Sequence, residues 1–474
     1  MEKVIVFGTG KYYQDNKEKI ASLGYKIIGF LDNNYKGKNA IFEGVNVFKP
    51  EKVVNIKYNK IIIMSMFKYE MVNQLLKLGV NIDDIYVYDV YESECIKVTK
   101  EYYPIKFRNK NNGRKILLIS HELSCTGAPI ALKYAVQVIK ENGDIPIVMS
   151  PSSGPLLDEF LNMGIDVVLE SGYSLKYGRF KEIIDDIDLI IVNTMHLSNL
   201  VHGLLKQLSI PILWWIHEGE SFYNMTKKDT VSRITGNIVM YCVSHYIKNI
   251  WEKVYTNFNI EILLYGMPDL YNSTMKYRLS DKIIFSIVGT IDNRKAQDIF
   301  IKAILNMPLK FREQCKFRII GKINDKEYYE GLVKMSSEIN QLEFIDEVPN
   351  NMMYKYYLDS DVIVSTSRDD PMPVVLSEGM MFSKPCICSK NTGTSFLIRD
   401  GEDGFTFQSE DYKELSKKMI YCIENRNKIE YIGKKSREIY DKNFKYDTFS
   451  NNLINIIRQL LGEEKLEDRE LCRE

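Results

Sequence analysis

The chain has 474 residues, of which 45% are hydrophobic and 27% charged, and 63 basic side chains balance 63 acidic ones. This length predicts two or three domains with cores of their own. The even balance of charge gives no general attraction to nucleic acid, which is therefore not an expected partner. The cysteines are scattered, and even the close pair Cys386 and Cys388 predicts reduced core thiols rather than a metal site.

The first 96 residues predict a small parallel α/β unit. Its strands are KVIVFGTG, KIIGFLDN, KIIIMS and IYVYD, with helical periods over 16–23 and 71–78. Because the chain opens on a strand and has no apolar run of the ~20 residues that a spanning helix needs, a cytoplasmic location is expected.

A ligand site is predicted in this first unit. Gly8 and Gly10 follow the first strand and Asp32 ends the second, as in dinucleotide-binding folds, but Tyr13 replaces the third glycine. The unit resembles the small nucleotide-sugar-binding domains at the front of some bacterial sugar acetyltransferases. A purely structural or docking role is the alternative.

Residues 97–114 predict a linker that is basic and carries aromatic side chains. Such a segment can lie on an anionic membrane surface, which would place the protein at the inner face of the membrane. The preferred interpretation is a solvated linker, because the segment lacks the helical periodicity of a membrane anchor.

Two further α/β units follow, predicted over 115–273 and 274–446, and a helix with a charged tail over 447–474 closes the chain. The predicted strands of the second unit are 115–121, 145–150, 166–170, 189–193, 211–217, 238–243 and 261–265. Those of the third are 283–289, 317–321, 342–346, 362–367 and 385–388. The fold class is therefore α/β, with three Rossmann-like units. Ligands of such sheets bind beyond the carboxyl ends of the strands.

The stretch SRDDPMPVVLSEGMM lies at one of these strand ends. Its prolines stop the strand over 362–367, and VVLSEGMMF predicts a helix whose free first amides can hold phosphate oxygens. Asp370 just before the helix can reach a sugar beyond the phosphates, and Glu378 two turns in can bond a ribose diol. The plain alternatives are a helix cap and a solvated position. The segment leading into the helix is Pro371, Met372, Pro373 and Val374, and we expect it to contact the same ligand of phosphates, ribose and sugar.

This stretch resembles the E-x7-E element of retaining glycosyltransferases of family 4, which have the twin-domain GT-B architecture, with Asp370 replacing the first Glu. The resemblance spans about Gly113 to the end of the chain. HELSCTGAPIALKYAV resembles the glycine loop of the family and implies donor contacts by Gly127 and Ala128. WWIHEGESFY places His217 at a strand end, as the catalytic histidine of the family is placed; His121 competes for that role.

Two further loops resemble donor-binding segments of the family. SIVGTIDNRKAQDIFIKA aligns Lys295 with the lysine that contacts the diphosphate, whereas Thr290 stands at the arginine position, so Arg294 is expected to supply the second charge. GTSFLIRDGEDGFTF implies donor contacts by Gly393 and Thr394.

The resemblance implies transfer from a nucleoside-diphosphate sugar to a hydroxyl with retention at the anomeric carbon, catalysed by His217, Asp370, Glu378 and Lys295. No cofactor or metal is expected. The last two units predict a cleft between them. The two D-x-D matches, Asp186 to Asp188 and Asp359 to Asp361, precede their strands and so are expected to lie away from this cleft. The expected role is synthesis of a bacterial surface polysaccharide or glycoconjugate, on lipid-linked glycan or protein. A non-catalytic nucleotide-sugar-binding or scaffold protein is the alternative, and a GT-B epimerase or phosphorylase is a weaker third.

Overall fold

The computed structural model describes residues 2–34, 40–65, 68–89, 94–98, 113–170, 179–226, 236–272 and 281–463. These residues form three sheets, of seven, seven and six strands, dominated by parallel pairs. The predicted α/β class is confirmed. By compactness the chain divides into two bodies, one of residues 1–125 with 139–190 and one of residues 126–138 with 191–474.

The first sheet runs in the order β3-β4-β2-β1-β5-β6-β7. Its strands are β1 (Lys3–Phe7), β2 (Lys26–Leu31), β3 (Ile41–Phe42), β4 (Val45–Phe48), β5 (Lys60–Ile63), β6 (Ile85–Asp89) and β7 (Glu94–Lys97). β3 pairs antiparallel with β4, and β7 pairs antiparallel with β6. The four predicted strands, β1, β2, β5 and β6, pair in parallel as expected, and the sequence did not predict the antiparallel strands β3 and β7 at the two edges.

The helices of the first unit begin earlier than their apolar periods predict. They are α1 (Lys11–Ser22) and α2 (Lys68–Lys77), and short 3-10 helices span Pro50–Asn55 and Ile82–Asp84. Tyr13 in α1 is 4% exposed and packs edge-on against Phe30, with ring centroids 5.0 Å apart. The helix starts in the polar run KYYQDNKE, where a count of aliphatic residues does not show that Tyr13 is buried.

The second sheet runs in the order β10-β9-β8-β11-β12-β13-β14. Its strands are β8 (Lys115–Ser120), β9 (Ile145–Ser150), β10 (Asp166–Leu169), β11 (Leu189–Asn193), β12 (Ile212–Ile216), β13 (Ile238–Cys242) and β14 (Ile260–Ile262). The helices among them are α3 (Gly127–Glu141), α4 (Leu156–Asn162), α5 (Arg179–Ile184), α6 (Ser198–Leu205), α7 (Glu220–Thr226) and α8 (His245–Trp251), with a 3-10 turn over Met195–Leu197. Every residue of β12 is buried, as expected for a strand covered on both faces.

The third sheet runs in the order β17-β16-β15-β18-β19-β20. Its strands are β15 (Ile283–Val288), β16 (Cys315–Ile320), β17 (Leu342–Ile345), β18 (Val362–Ser365), β19 (Cys386–Ser389) and β20 (Phe405–Phe407). Its helices are α9 (Gln297–Asn306), α10 (Leu309–Arg312), α11 (Lys326–Met335), α12 (Asn350–Asp359) and α13 (Val374–Met381), with a 3-10 turn over Gly393–Leu397. Because β15, β18 and β19 are neighbours and parallel, the loops after them meet at one edge.

The chain ends in α14 (Tyr412–Glu424), α15 (Arg426–Asn443) and α16 (Tyr446–Leu460). α16 returns to the second sheet: Phe449 stacks on Trp215 with centroids 5.7 Å apart, and Gly266 has no room for a Cβ beside the Phe449 side chain. The predicted linker lies outside the described residues from 99 to 112. In the described part of the chain, no helix has the length and apolarity needed to cross a membrane.

Both D-x-D matches lie at the amino ends of strands, as predicted from their order in the sequence. Asp188 accepts from the Lys115 amide at 2.7 Å, and Asp361 accepts from the Ile284 amide at 2.8 Å. Asp359 forms a 2.7 Å ion pair with Arg318. These carboxylates therefore make structural contacts at the end of each sheet opposite the carboxyl ends of its strands.

Candidate active site

Two adjacent loops of the third sheet bring the predicted charges together. Lys295 Nζ, on the loop after β15, lies 2.6 Å from Oδ2 of Asp370, on the loop after β18. Arg294 Nη1 lies 3.7 Å from the same oxygen and donates to the Asp369 carbonyl at 3.2 Å. The Asp370 side chain is 7% exposed and that of Lys295 16%, so this ion pair is largely shielded from water.

The Lys295 loop owes its shape to a few backbone features. Ala296 precedes α9 in the left-handed conformation, at φ 56°, and the Thr366 hydroxyl at the end of β18 donates to its carbonyl at 2.8 Å. Asp292 accepts from the Lys295 amide at 3.0 Å and from the Thr290 hydroxyl at 2.7 Å. Thr290, which stands at the arginine position, is thus used within the loop, and Arg294 is the second cation beside Asp370.

The turn after Asp370 packs against the loop that follows β19. The Gly393 amide donates to the Asp370 carbonyl at 2.9 Å, and a Cβ on Gly393 would lie 1.8 Å from the Pro371 carbonyl oxygen. The Thr394 hydroxyl lies 3.3 Å from the Met372 sulfur. The structure therefore joins these donor-site candidates in one compact turn, which only glycine at position 393 permits.

The same turn leads directly into α13. Pro373 is the residue before the helix and Val374 the first residue in it, so the amides of the first turn stand at the carboxyl end of β18. Glu378 lies within α13, two residues before the buried Met380. The Tyr357 hydroxyl donates to Glu378 Oε2 at 2.5 Å, and burial raises the pKa of Glu378 to about 7. The carboxylate is thus held by a phenol rather than solvated, although the residue as a whole keeps some exposure.

His217 directly follows β12 and is half-buried, with its ring 4.7 Å from that of Trp215. Glu218 beside it is 9% exposed, and its Oε2 accepts from the Met195 amide at 2.7 Å and the His217 amide at 3.1 Å. Burial raises the pKa of Glu218 to about 7. This carboxylate was not among the predicted site residues, although it is the next residue after the predicted histidine.

A second residue not foreseen is Asp369, the acid next to Asp370. Its carboxylate accepts from the amides of Ser221 at 2.7 Å and Glu220 at 3.3 Å, which begin α7, and from the Tyr246 hydroxyl at 3.0 Å. Two adjacent acids in the sequence thus point to different partners, one to Lys295 and one to the helix that follows β12 of the second sheet. No motif distinguishes them in advance.

The other predicted residues of the second sheet lie at strand ends. Gly127 and Ala128 begin α3, and the Ala128 carbonyl accepts from the Asn193 side chain, which ends β11, at 2.8 Å. A Cβ on Gly127 would meet nothing within 4 Å, so its local packing does not demand glycine. His121 follows β8, with Nε2 3.6 Å from the Glu122 carboxylate.

In the first unit, the predicted residues also lie at strand ends. Gly8 has φ 117°, and a Cβ there would lie 2.6 Å from the Met64 carbonyl oxygen, whereas the space beside Gly10 is open. The Asp32 carboxylate accepts from the Thr9 hydroxyl and from the Asn34 amide. Gly8 therefore serves the close approach of β1 and β5, and Asp32 shapes the loop that follows β2.

Comparison with known proteins identifies the class of protein. Residues 112–263 match the family model described as Glycosyl-transferase family 4, and residues 275–439 match Glycosyl transferases group 1. The chain is a glycosyltransferase of the GT-B fold. Residues 1–86 of the glycosyltransferase match a third model, described as C2185-like, N-terminal.

Relatives and solved structures each cover part of the glycosyltransferase. An uncharacterized glycosyltransferase of Methanocaldococcus jannaschii is 25% identical over 270 residues, which are 56% of this chain and 73% of that one. A Campylobacter jejuni N-acetyl-D-galactosaminyltransferase, named for a diphospho-undecaprenol-linked substrate, is 28% identical over 30% of this chain and 38% of its own. Anabaena HepE, solved with UDP and glucose, superposes with a TM-score of 0.60 at 16% identity, over 73% of this chain and all of that chain.

Proposed function

We propose that the glycosyltransferase moves a sugar from a nucleoside-diphosphate sugar to a hydroxyl acceptor with retention of the anomeric configuration. The observation that carries this proposal is the contact of Lys295 and Arg294 with Asp370, 2.6 Å and 3.7 Å from one carboxylate oxygen. When the donor bond breaks, negative charge grows on the departing diphosphate. Two cations beside the first amides of α13 can stabilise that charge without a metal.

The remaining candidates would contact the donor and determine the face of the sugar at which the acceptor hydroxyl attacks. Glu378 would accept from the ribose diol, and Asp370 from a sugar hydroxyl once the donor engages Lys295. His217, carried by the second sheet, would face the sugar. The incoming hydroxyl would attack from the face that the diphosphate leaves, and the leaving phosphate would take its proton, so no further base is needed.

The proposed donors are UDP-sugars, since the Anabaena neighbour was solved with UDP and with UDP-glucose. The proposed acceptor is a lipid-linked glycan or a protein in bacterial surface polysaccharide or glycoconjugate synthesis, reached in the cytoplasm at the inner face of the membrane. The Campylobacter relative, whose printed name carries an undecaprenol diphosphate, supports the lipid-linked choice.

The test is a panel of nucleotide sugars, followed by thermal shift and by release of nucleoside diphosphate from the full chain. Release from one donor, with the configuration of the product read from its anomeric proton coupling, would establish the retaining transferase. We expect Lys295→Ala and Glu378→Gln each to abolish transfer while the circular dichroism spectrum stays that of the wild type. Donor binding without release, in the presence of cell-derived acceptors, would instead establish the non-catalytic binding protein.

For the first unit we propose a second nucleotide-sugar site at Gly8, Gly10 and Asp32. Its support is the position of all three residues at the carboxyl ends of β1 and β2. Titration calorimetry of the Lys295→Ala full chain tests it. Residual stoichiometric binding that Asp32→Ala removes would locate the second site, and a titration without heat would leave the unit a structural or docking role.

A further inference from the structure

We propose that Asp369 is a positioning residue, which holds the Asp370 turn against the start of α7 and thereby sets the separation of Asp370 from His217. This inference rests on the proposed function only in that transfer is taken to occur at the Asp370 turn. Its basis is the set of contacts that the Asp369 carboxylate makes with the helices that follow β12 and β13 of the second sheet.

Those contacts use both oxygens of the carboxylate. Oδ2 accepts from the Ser221 amide at 2.7 Å, and Oδ1 accepts from the Tyr246 hydroxyl at 3.0 Å and the Glu220 amide at 3.3 Å. Asp369 is 7% exposed, so these bonds are little weakened by water. An ionised acceptor makes them roughly twice as strong as bonds between neutral groups.

The backbone around the carboxylate is shaped for this contact. A Cβ on Gly219 would lie 2.2 Å from Asp369 Oδ1, so any larger residue there would displace the carboxylate. Gly219 is two residues beyond His217. The carboxylate therefore fixes the segment that carries the predicted catalytic histidine, and it does so from the residue next to Asp370.

A second contact joins the same turn to the residue that precedes α8. The Ser244 hydroxyl donates to the Pro371 carbonyl at 2.7 Å, one residue beyond Asp370. From the side of the third sheet, Arg294 donates to the Asp369 carbonyl and Asn391 accepts from the Asp370 amide at 3.1 Å. The Asp370 turn is thus held from both sheets, and Asp369 makes the charged part of that attachment.

The chain offers a matched pair of aspartates for the test. Asp411 caps the start of α14 and accepts from the Lys413 and Glu414 amides at 3.0 and 2.9 Å, so Asp411→Asn perturbs the start of a different helix. Asp369→Asn keeps the shape of the side chain but leaves one acceptor oxygen for three donors. Asp369→Glu keeps the charge and serves as the conservative variant.

Hydrogen exchange and UDP release from UDP-glucose, both on the full chain, are the two measurements. In Asp369→Asn we expect the amides of 220 and 221 to exchange at least tenfold faster. The kcat for UDP release should fall about tenfold or more with little change in KM, since the lost bonds orient the reacting groups. Asp369→Glu should restore part of kcat, and Asp411→Asn should match the wild type in both measurements.

Unchanged exchange at 220 and 221 in Asp369→Asn would overturn the attachment, whatever the enzyme turns over. Faster exchange with an unchanged kcat would overturn the positioning role and leave a structural contact. A wild type that neither binds UDP nor releases it from any donor is a failure of the proposed function, and the exchange result stands apart from it.

Discussion

Lys295 and Arg294 lie at different depths beside Asp370, and this difference predicts unequal roles. The side chain of Lys295 is 16% exposed and that of Arg294 is 44% exposed. A charge shielded from water interacts more strongly with a diphosphate. We expect Lys295→Ala to lower kcat/KM for the donor by a hundredfold or more, about 3 kcal/mol of transition-state stabilisation, and Arg294→Ala by about tenfold.

Initial rates of nucleoside diphosphate release measure which of the two substitutions lowers activity more. Lys434→Ala is the control, because Lys434 forms an exposed ion pair with Glu430 within α15. It should leave the rate within about twofold of the wild type, since surface pairs contribute little. If Arg294→Ala were the more damaging of the two site variants, Arg294 would be the principal diphosphate ligand.

Glu218 predicts a pH-dependent contribution to stability. Burial raises its pKa from 4.5 to about 7, so between these values the folded protein holds the proton more tightly than the unfolded chain. Protonation of Glu218 therefore stabilises the fold fully below pH 4.5, and this contribution is lost as the pH rises through 7. Glu218→Gln copies the protonated state and keeps an oxygen for the Met195 and His217 amides.

Urea unfolding of the wild type and Glu218→Gln at pH 5 and pH 8 tests whether this contribution to stability is lost as the pH rises. The variant should match the wild type to within about 1 kcal/mol at pH 5 and exceed it by roughly 1–3 kcal/mol at pH 8. A constant difference across the pH range would mean that Glu218 does not titrate in this window.

Residue types and spacing predicted which loops carry the candidate residues, but not how those residues pair. Lys295 and Asp370 are 75 residues apart, and their contact depends on β15 and β18 being neighbours in the third sheet. Asp369 and Glu218 adjoin predicted residues and were still missed. The direction of a side chain within a turn depends on backbone angles that no local pattern in the chain specifies.

At the scale of the element, the turn over 370–373 and the loop over 391–394 form one structure. A Cβ on Gly393 would meet the Pro371 carbonyl at 1.8 Å and the Ser244 hydroxyl at 2.5 Å. A backbone carbonyl cannot move away from such a clash without a large cost in free energy. We expect Gly393→Ala to lower the free energy of unfolding by about 2 kcal/mol or more through overpacking, and to weaken UDP binding at least tenfold.

Gly331→Ala is the matched control, because Gly331 lies inside α11 with nothing within 4 Å of its Cβ position. This substitution should raise the free energy of unfolding by about 0.5–1 kcal/mol. Urea unfolding and calorimetry with UDP measure both variants. Wild-type UDP affinity in Gly393→Ala would show that the turn does not form part of the donor site.

Elements with a strong period were predicted well, and those governed by local geometry were not. β12 was predicted over 211–217 and spans Ile212–Ile216, because five consecutive apolar residues bury on both faces of a parallel strand. The antiparallel strands β3 and β7 were missed, since each is short and pairs at an edge. α1 begins at Lys11, earlier than predicted, because Tyr13 rather than an aliphatic residue supplies its first core contact.

At the scale of the whole molecule, α16 connects the end of the chain to the second sheet. Phe449 is 1% exposed and stacks on Trp215 with rings inclined by 20°, while Tyr446 at the start of α16 meets Tyr134 with centroids 6.4 Å apart. The Tyr440 hydroxyl donates to the Met267 carbonyl at 3.0 Å, next to the same crossing. The stability of the second sheet should therefore depend on a helix that follows the third sheet in the sequence.

Phe449→Ala tests this dependence, and the tryptophans make it measurable. The three tryptophans of the chain are Trp214, Trp215 and Trp251, all in or beside the second sheet, so their fluorescence reports that sheet alone. Removing a buried ring costs about 3–5 kcal/mol, which should shift the fluorescence midpoint in urea together with that from circular dichroism. Tyr431→Ala, on a side chain that is 62% exposed, should shift neither. A fluorescence midpoint that stayed in place while the circular dichroism midpoint fell would mean that the second sheet folds without α16, and the stacking on Trp215 would then contribute to position rather than to stability.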